Sequence, residues 1–411
     1  MLLLFGTMPG KCLADINIVH ETGVGARAYG LANNFVALSD DQSGLFWNPA
    51  GLAFVPKREF QVAVDGLSQK ANSDFYGQTS SSAVQHLRLA NIGYLHSFPS
   101  SQGGFTIAGA LQNPFTFDDV LHYSGNHGTV FSRRDLKDYG SLNYWTGGFG
   151  LQVAQGLGLG ASLSFVTGSE DGQNVFYRDT NGILNNADYN SDYDTKRTRT
   201  YMGYDFRVGL LYNISKNLNL GLRFVFPQTV WFSEDVTETY PNTPNAADYS
   251  PPSSSGKIFS SYSGALGVSG VFPFLTFSTE LRVRAPYTFV NPTEMIPDSS
   301  LASRTILGAG LGVEVPVIKG STLLRLGYSW DQYDTHPFAR QYDDEPAVNW
   351  GTDGVNPAGD QHLGTIGLAF LMKSACLEIS YGYTYWKLRT WDYLNETHSQ
   401  HRILTSLSFR F

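Results

Sequence analysis

Near the carboxyl end, apolar and polar side chains take turns. Ile403, Thr405, Leu407, Phe409 and Phe411 fall on one face of an extended segment; Arg402, Leu404, Ser406, Ser408 and Arg410 fall on the other. Side chains alternate across a strand, so this period of two predicts a strand with one oily and one polar face. The pattern recurs upstream. Leu377, Ile379, Tyr381, Tyr383 and Tyr385 alternate with Glu378, Ser380, Gly382 and Thr384. Leu218, Leu220, Leu222, Phe224 and Phe226 alternate with Asn219, Gly221 and Arg223, and Leu275, Phe277, Leu281 and Val283 with Ser278, Glu280, Arg282 and Arg284. Fourteen strands are predicted, near 58–69, 85–98, 103–114, 140–154, 157–168, 199–213, 217–231, 257–271, 274–289, 301–315, 320–333, 360–371, 374–388 and 401–411.

A soluble sandwich also alternates, but its strands are shorter and its polar face is rich in Lys and Glu. Here the polar face is Gly, Ser, Asn and matched Arg and Glu, as expected of strands that separate lipid from a polar lumen. Such a sheet must close, because an open edge in hydrocarbon leaves backbone groups unpaired. The fold class expected is therefore all-β: a transmembrane antiparallel β-barrel of about fourteen strands over residues 58–411. Connections support it. Short ones (Pro99 to Gln102, Gln155-Gly156, Ile214 to Lys216, Phe272-Pro273, Pro316 to Lys319, Met372-Lys373) alternate with long polar ones (70–84, 115–139, 169–198, 232–256, 290–300, 334–359, 389–400). Short turns belong on the periplasmic side of an outer-membrane barrel and long loops outside. Tyr144, Trp145, Tyr201, Trp231, Tyr287, Tyr328, Trp330, Tyr385 and Trp386 stand at strand ends, where an interfacial girdle is expected.

Composition sharpens this. Only 16% of the 411 residues are charged, against about 25% in soluble domains, while 14% are aromatic and 43 are Gly. No run approaches the roughly 18 apolar residues of a spanning helix. The net charge of −8 argues against nucleic acid as a partner. Two cysteines, Cys12 and Cys376, exclude a disulfide framework and a thiolate zinc site. Asp188-x-Asn190-x-Asp192-x-Asp194 lacks the central Gly and closing Glu of a calcium loop. No nucleophile elbow or convincing Ser–His–carboxylate set is present, so neither a metal, a cofactor nor an enzymatic activity is expected. Gly156-x-Gly158-x-Gly160 and Gly308-x-Gly310-x-Gly312 have strand period and read as small positions facing the lumen, not as phosphate loops.

Residues 1–14, MLLLFGTMPGKCLA, read as a truncated signal peptide. Residues 15–57 show no strand pattern and are expected to plug the lumen as a hatch. Ser39-Asp40-Asp41 resembles a helix cap, and Trp47-Asn48-Pro49-Ala50 a tight turn with Pro opening a short helix. Phe35, Leu45, Phe46, Trp47 and Phe54 are many apolar groups for a polar lumen. Either they pack on one another or they line a pocket for an oily ligand.

The stretches Gly25-Ala26-Arg27-Ala28-Tyr29-Gly30, Phe35-Val36-Ala37-Leu38-Ser39-Asp40-Asp41 and Asn48-Pro49-Ala50-Gly51-Leu52, with the terminal Phe411, resemble the FadL/TodX family of outer-membrane transporters of long-chain fatty acids and aromatic hydrocarbons. The resemblance implies a fourteen-stranded barrel in the Gram-negative outer membrane, contacting lipid and lipopolysaccharide, with the Phe411 strand read by the barrel-assembly machinery. It also implies capture of a hydrophobic small molecule or fatty acid at the loops, then a hatch movement and sideways release near a kinked third strand. On this sequence the hatch motif is Asn48, Pro49, Ala50 and Gly51, the kink candidate is Pro114, and Phe115, Phe117 and Leu121 are candidates for the capture surface, the plain alternative being loop packing. A carboxylate head would call for a lumen Arg: Arg207, Arg223, Arg282, Arg284 or Arg325, each of which could instead pair with an inward Asp or Glu. The other function such a barrel could serve is protein binding in secretion or surface attachment.

Overall fold

The computed structural model describes residues 22–98, 103–128, 130–179, 191–241, 248–260, 262–285, 287–290, 305–332, 360–390 and 394–411. Fourteen antiparallel strands close into one barrel. In chain order they are β1 (Glu59–Phe75), β2 (Gln78–Phe98), β3 (Phe105–Thr116, resuming at Asp119–His127), β4 (Val130–Ala154), β5 (Leu157–Asp179), β6 (Ser191–Asn213) and β7 (Leu218–Val225, resuming at Gln228–Thr239). Then come β8 (Ser254–Ser260 and Ser263–Phe272), β9 (Leu275–Arg284 and Tyr287–Val290), β10 (Ile306–Ile318), β11 (Thr322–Asp331), β12 (Gln361–Leu371), β13 (Ala375–Thr390) and β14 (Leu394–Arg410). Each strand pairs with the next, and β1 pairs with β14 in unbroken register from Glu59↔Arg410 to Phe75↔Leu394. No helix among the described residues is long and apolar enough to cross a membrane.

The period-two reading assigns faces as the structure does. Arg402, Leu404, Ser406 and Ser408 are buried in the lumen, and Ile403 and Phe409 are exposed on the outer wall. Leu87, Phe105, Ile107, Phe149, Leu163, Leu222, Leu281, Leu311 and Ile366 are also exposed. They form the apolar belt that a bilayer covers.

The long connections differ from expectation. The segment read as a loop at 70–84 is the end of one hairpin, with only Tyr76 and Gly77 outside the ladder. Their φ values of 50° and 80° make the turn twist with the strands; Gly77 takes this conformation freely and Tyr76 is an unexpected occupant. Strands likewise run through much of 115–139, 169–198, 232–256 and 389–400. Beyond the bilayer both faces of the wall meet water or lumen, so the apolar alternation fades while the hydrogen-bond ladder continues. The girdle also needs correction. Trp145, Trp231 and Tyr328 do face outward, whereas Tyr144, Tyr201 and Trp386 are buried inside. Tyr144 and Trp145 are neighbours on one strand and so cannot share a face.

Residues 22–57 lie against the inward faces of the strands. They form two short helices, α1 (Ala26–Gly30) and α2 (Gly44–Trp47), and a 3-10 helix (Pro49–Phe54). Residues 1–14, expected to be a signal peptide, and residues 15–21 lie outside the described residues. The wall is glycine where this backbone touches it. A Cβ at Gly160 would overlap Pro49 and Ala50, one at Gly221 would overlap Val36 and Ala37, one at Gly312 would overlap Leu31, and one at Gly327 would overlap Ala32. At Gly264, away from these contacts, a Cβ has 3.6 Å to its nearest neighbour. Gly160→Ala is therefore expected to weaken hatch docking by about 1–3 kcal/mol, the usual cost of overpacking, and Gly264→Ala to leave it unchanged. Limited proteolysis and hydrogen exchange of residues 22–57 in the two variants measure the difference.

Candidate functional site

Asn48 ties the hatch together and to the wall. Its side-chain oxygen accepts the Ala50 N–H at 3.1 Å, capping the 3-10 helix that Pro49 opens. Its amide nitrogen donates to the Val36 carbonyl at 2.8 Å and to the Leu210 carbonyl of β6 at 3.1 Å. Pro49 supplies a fixed φ and gives up no needed donor at this position. Ala50 and Gly51 are small because β4, β5 and the Ser39 carbonyl approach closely. At Ser39 to Ser43 the expected cap is displaced by one step. Asp41 Oδ1 accepts the Ser43 N–H at 2.9 Å and the Ser43 hydroxyl at 2.6 Å, while Ser43 itself makes no side-chain cap on α2. Burial pushes the Asp41 carboxyl above its ordinary range, against the pull of Arg27.

The five apolar hatch candidates are not brought into one pocket. Phe35, Phe46 and Trp47 pack with Val24, Ala28, Leu31 and Leu38. Leu45 belongs to a second cluster with Leu52, Val55 and Leu95. Phe54 is half-buried beside Gly158. Trp47 Nε1 donates to the Val24 carbonyl at 2.8 Å, which fixes the ring within the hatch.

The inward arginines hold the hatch and one another's carboxylates. Arg207 lies 2.6 Å from Asp205, donates to the Phe46 carbonyl at 3.0 Å and covers the Phe46 ring at 3.9 Å. Arg223 stands 5.7 Å from the Trp47 ring. Arg325 bridges Glu314 at 2.6 Å and Glu378 at 2.8 Å, and Arg27 of the hatch reaches Glu314 at 3.4 Å. Arg282 pairs with Asp331 at 3.1 Å; beside it, Glu280 accepts the Phe35 and Val36 N–H groups. Arg282 and Arg284 line a polar cavity with Asp331, Gln361 and Arg402. Five candidate arginines thus sit on the lumen wall, and Arg207, Arg282 and Arg325 each pair with protein carboxylates.

Against the hatch, on the β3–β7 side, the polar lumen gives way to a buried cluster of Phe115, Phe117, Leu142, Tyr144, Val166, Tyr201, Val230 and Phe232. Phe117 stacks on Tyr201 at 4.9 Å, Phe115 tilts on Tyr144 at 5.5 Å, and Tyr144 meets Phe46 edge-on at 6.5 Å. The tyrosine hydroxyls bond outside the cluster, Tyr144 accepting from Gln228 at 2.9 Å and Tyr201 donating to Glu170. The rings are thereby left to apolar contact. Phe115 and Phe117 lie within this interior cluster, and Leu121 lies in another, with Phe75, Tyr123, Leu136 and Leu394. The sequence assigns Tyr144 and Tyr201 to the girdle and does not single out Leu142, Val166, Val230 or Phe232. Their signal was parity: each is an apolar residue on a face otherwise occupied by Ser, Gly and charge.

Where β2 and β3 part, the wall is irregular on both strands. Pro114 sits at a bulge, with Gln112 opposite Tyr144 and Phe115 opposite Leu142. β2 carries its own bulge, since Ala63 pairs with Asn91 and Val64 with Leu89. β2 pairs with β3 only from Asn91↔Gln112 to Phe98↔Phe105, so residues 78–90 are laddered to β1 alone. The Gln112 amide is buried here without a hydrogen-bond partner among the described residues. Thr22, the first described hatch residue, bonds the Pro114 carbonyl twice, through its N–H at 2.9 Å and its hydroxyl at 2.8 Å.

No protein-family model and no curated protein matches the chain. Solved structures do. The Pseudomonas putida toluene transporter TodX is similar at a TM-score of 0.63 and 15% identity, over 95% of this chain and 99% of that one. A Pseudomonas aeruginosa FadL homologue gives 0.64 and 13%, over 94% and 98%. The Ralstonia pickettii toluene transporter TbuX gives 0.64 and 14%, over 96% and 99%.

Asn48→Asp keeps the acceptor for Ala50 but removes both donors. The buried Val36 carbonyl then loses its bond, at about 1–3 kcal/mol, along with the half-buried link to the Leu210 carbonyl, and single-channel recording in planar bilayers is expected to show a leak that the parent lacks. Matched by these solved structures along nearly the whole chain, this protein has the fold of the FadL/TodX outer-membrane channels.

Proposed function

We propose that the protein is a passive outer-membrane channel for hydrophobic small molecules, entering from outside, pausing at the aromatic cluster and leaving sideways where β2 and β3 part. The observation that carries this reading is the cluster itself: eight buried apolar and aromatic residues gathered on the inner wall against the hatch. An oily molecule gains about 0.8 kcal/mol for each buried CH₂, so such a patch binds by area with little need of polar contacts. Water gains nothing there.

Geometry links the cluster to both moving parts the reading requires. Phe46 and Trp47 of the hatch pack on one another at 5.2 Å, and Phe46 continues to Tyr144. A shift of α2 therefore opens space beside the cluster. Thr22 ties the hatch to the bulge at Pro114, so the same shift loosens the wall at the gap. The solved structures of similar fold include toluene transporters, which is consistent with an apolar cargo. The inward arginines serve the hatch in this account, and the outer leaflet's lipopolysaccharide is the barrier that the barrel bypasses.

Purified protein in lipid vesicles is expected to take up labelled toluene or a long-chain fatty acid saturably and without an energy source. Deleting residues 22–55 is expected to abolish the saturable component. Phe117→Ala is expected to raise the half-saturating concentration about tenfold, equivalent to the loss of roughly 1.4 kcal/mol of apolar contact. Uptake identical to that of empty vesicles, with a protein co-purifying in stoichiometric amount, would replace this reading with a protein-binding one.

A further inference from the structure

The end of the barrel that carries the short turns, periplasmic by that mark, has a charge of its own. The chain as a whole is acidic, with 36 Asp and Glu against 28 Lys and Arg. The short turns reverse this. Lys216 lies between β6 and β7, Lys319 between β10 and β11, and Lys373 between β12 and β13, while Lys57 and Arg58 lead into β1; all five are exposed. No Asp or Glu stands in 54–58, 99–102, 155–156, 214–217, 273–274, 319–321 or 372–374. The carboxylates closest to this end along the strands are already matched, Glu59 by Arg410 at 2.6 Å, and Glu314 and Glu378 by Arg325 at 2.6 and 2.8 Å. The exposed Asp40 of the hatch is paired with Arg27 at 2.6 Å. Among the described residues, no carboxylate pairs with any of the five rim cations.

We propose that the arc of this rim from β10 to β1 is a docking surface for the head groups of anionic phospholipids in the inner leaflet. The proposal takes from the channel reading only the membrane and the orientation in it, not the cargo. Backbone bonds hold the arc in a row. The Leu371 N–H donates to the Ser321 carbonyl at 2.7 Å, the Arg410 N–H to the Ser374 carbonyl at 2.9 Å, and the Phe411 N–H to the Arg58 carbonyl at 3.1 Å. The ladder thus runs on past the strands and carries Lys319, Lys373 and Arg58 along one edge. Lys319 and Lys373 stand two strand spacings apart, about 10 Å, which is about one Debye length at 0.1 M salt, so their fields overlap. Cations alone would suit any acidic partner. Their neighbours favour lipid. Ile318 precedes Lys319, Met372 precedes Lys373, and Phe411 lies beside Arg58, at 58%, 55% and 67% exposure. Apolar side chains at this depth enter the acyl boundary, while an adjacent lysine keeps its stem there and brings its ammonium to a phosphate. Each such cation favours an anionic surface about fivefold. The turns at 99–102 and 155–156 carry no charge, so anionic lipid gathers on the β10–β1 side and not below the parting of β2 and β3.

The full chain in phosphatidylcholine vesicles, doped with spin-labelled phosphatidylglycerol or spin-labelled phosphatidylcholine, tests this. EPR reads the share of each label restrained at the protein surface. Phosphatidylglycerol is expected to be restrained about two- to fivefold more strongly at low salt, an average that contacts off the arc dilute, and the excess is expected to vanish in 1 M salt. The rim variant, Lys57→Gln and Arg58→Gln with Lys319→Gln and Lys373→Gln, is expected to bring the two lipids level. Its four side chains are exposed, and heat-modifiable gel mobility checks that the barrel is kept. Lys70→Gln with Lys137→Gln, exposed at the opposite end, is expected to retain the parent's preference. Equal restraint of the two lipids by the parent would overturn the proposal, as would an excess that survives in the rim variant. Equal restraint together with an acidic protein that co-purifies in stoichiometric amount, and is lost from the rim variant, would give the surface to a protein instead. The lipid readout needs no cargo, so the two readings can fail separately. Saturable uptake without lipid preference removes the docking surface alone; lipid preference in a protein that takes up neither toluene nor fatty acid removes the channel alone.

Discussion

A strand in hydrocarbon has no water to satisfy its N–H and C=O groups, and every edge must find a partner. The ladder from Glu59↔Arg410 to Phe75↔Leu394, joining the first strand to the last, meets that demand. The remaining features follow from it. Closing fourteen strands creates an interior too wide for wall side chains alone to fill. The chain fills it with its own first segment, and glycines at the points of contact let that segment's backbone lie directly on the wall.

The same demand makes the region between β2 and β3 unusual. β2 is laddered on one side only through residues 78–90, and both strands carry a bulge where the pairing stops. Bulges bend a strand and end its pairing locally, and Pro114 has no N–H to offer the ladder. The loss is partly covered by the inturned half of β3, whose side chains grip the inner face of β1 and β2. The break in pairing and the segment that packs over it therefore belong to one strand.

The interior is divided chemically as well. On the β3–β7 side the aromatic cluster faces the hatch. Beside it stands Arg197 with Glu170, and elsewhere on the wall, on β10, β11 and β13, Arg325 with Glu314 and Glu378. Buried pairs of this kind add little net stability, since desolvation offsets the attraction. Their value here is positional. Arg207 and Glu280 both reach the hatch backbone, through Phe46 and through Phe35 and Val36, and so fix its placement against the wall.

The amino-acid order alone determined that the chain is a barrel, which residues face lipid, where the short turns lie, and that the segment around Asn48-Pro49-Ala50 stands apart from the strands. Alternation and turn chemistry are local, so they are written in neighbouring residues. Strand ends beyond the bilayer were not legible, because polar strands carry no apolar rhythm. Nor did the order reveal which inward side chains meet. Tyr144 and Tyr201 looked like girdle residues until parity and closure turned them inside. Thr22 and Pro114 are 92 positions apart, and Asp65 and Arg402 are 337 apart. Only closure, strand stagger and the path of the hatch through the lumen bring such positions together. The tertiary structure therefore decided where the oily patch lies, which arginines hold the hatch, and what grips the inturned strand.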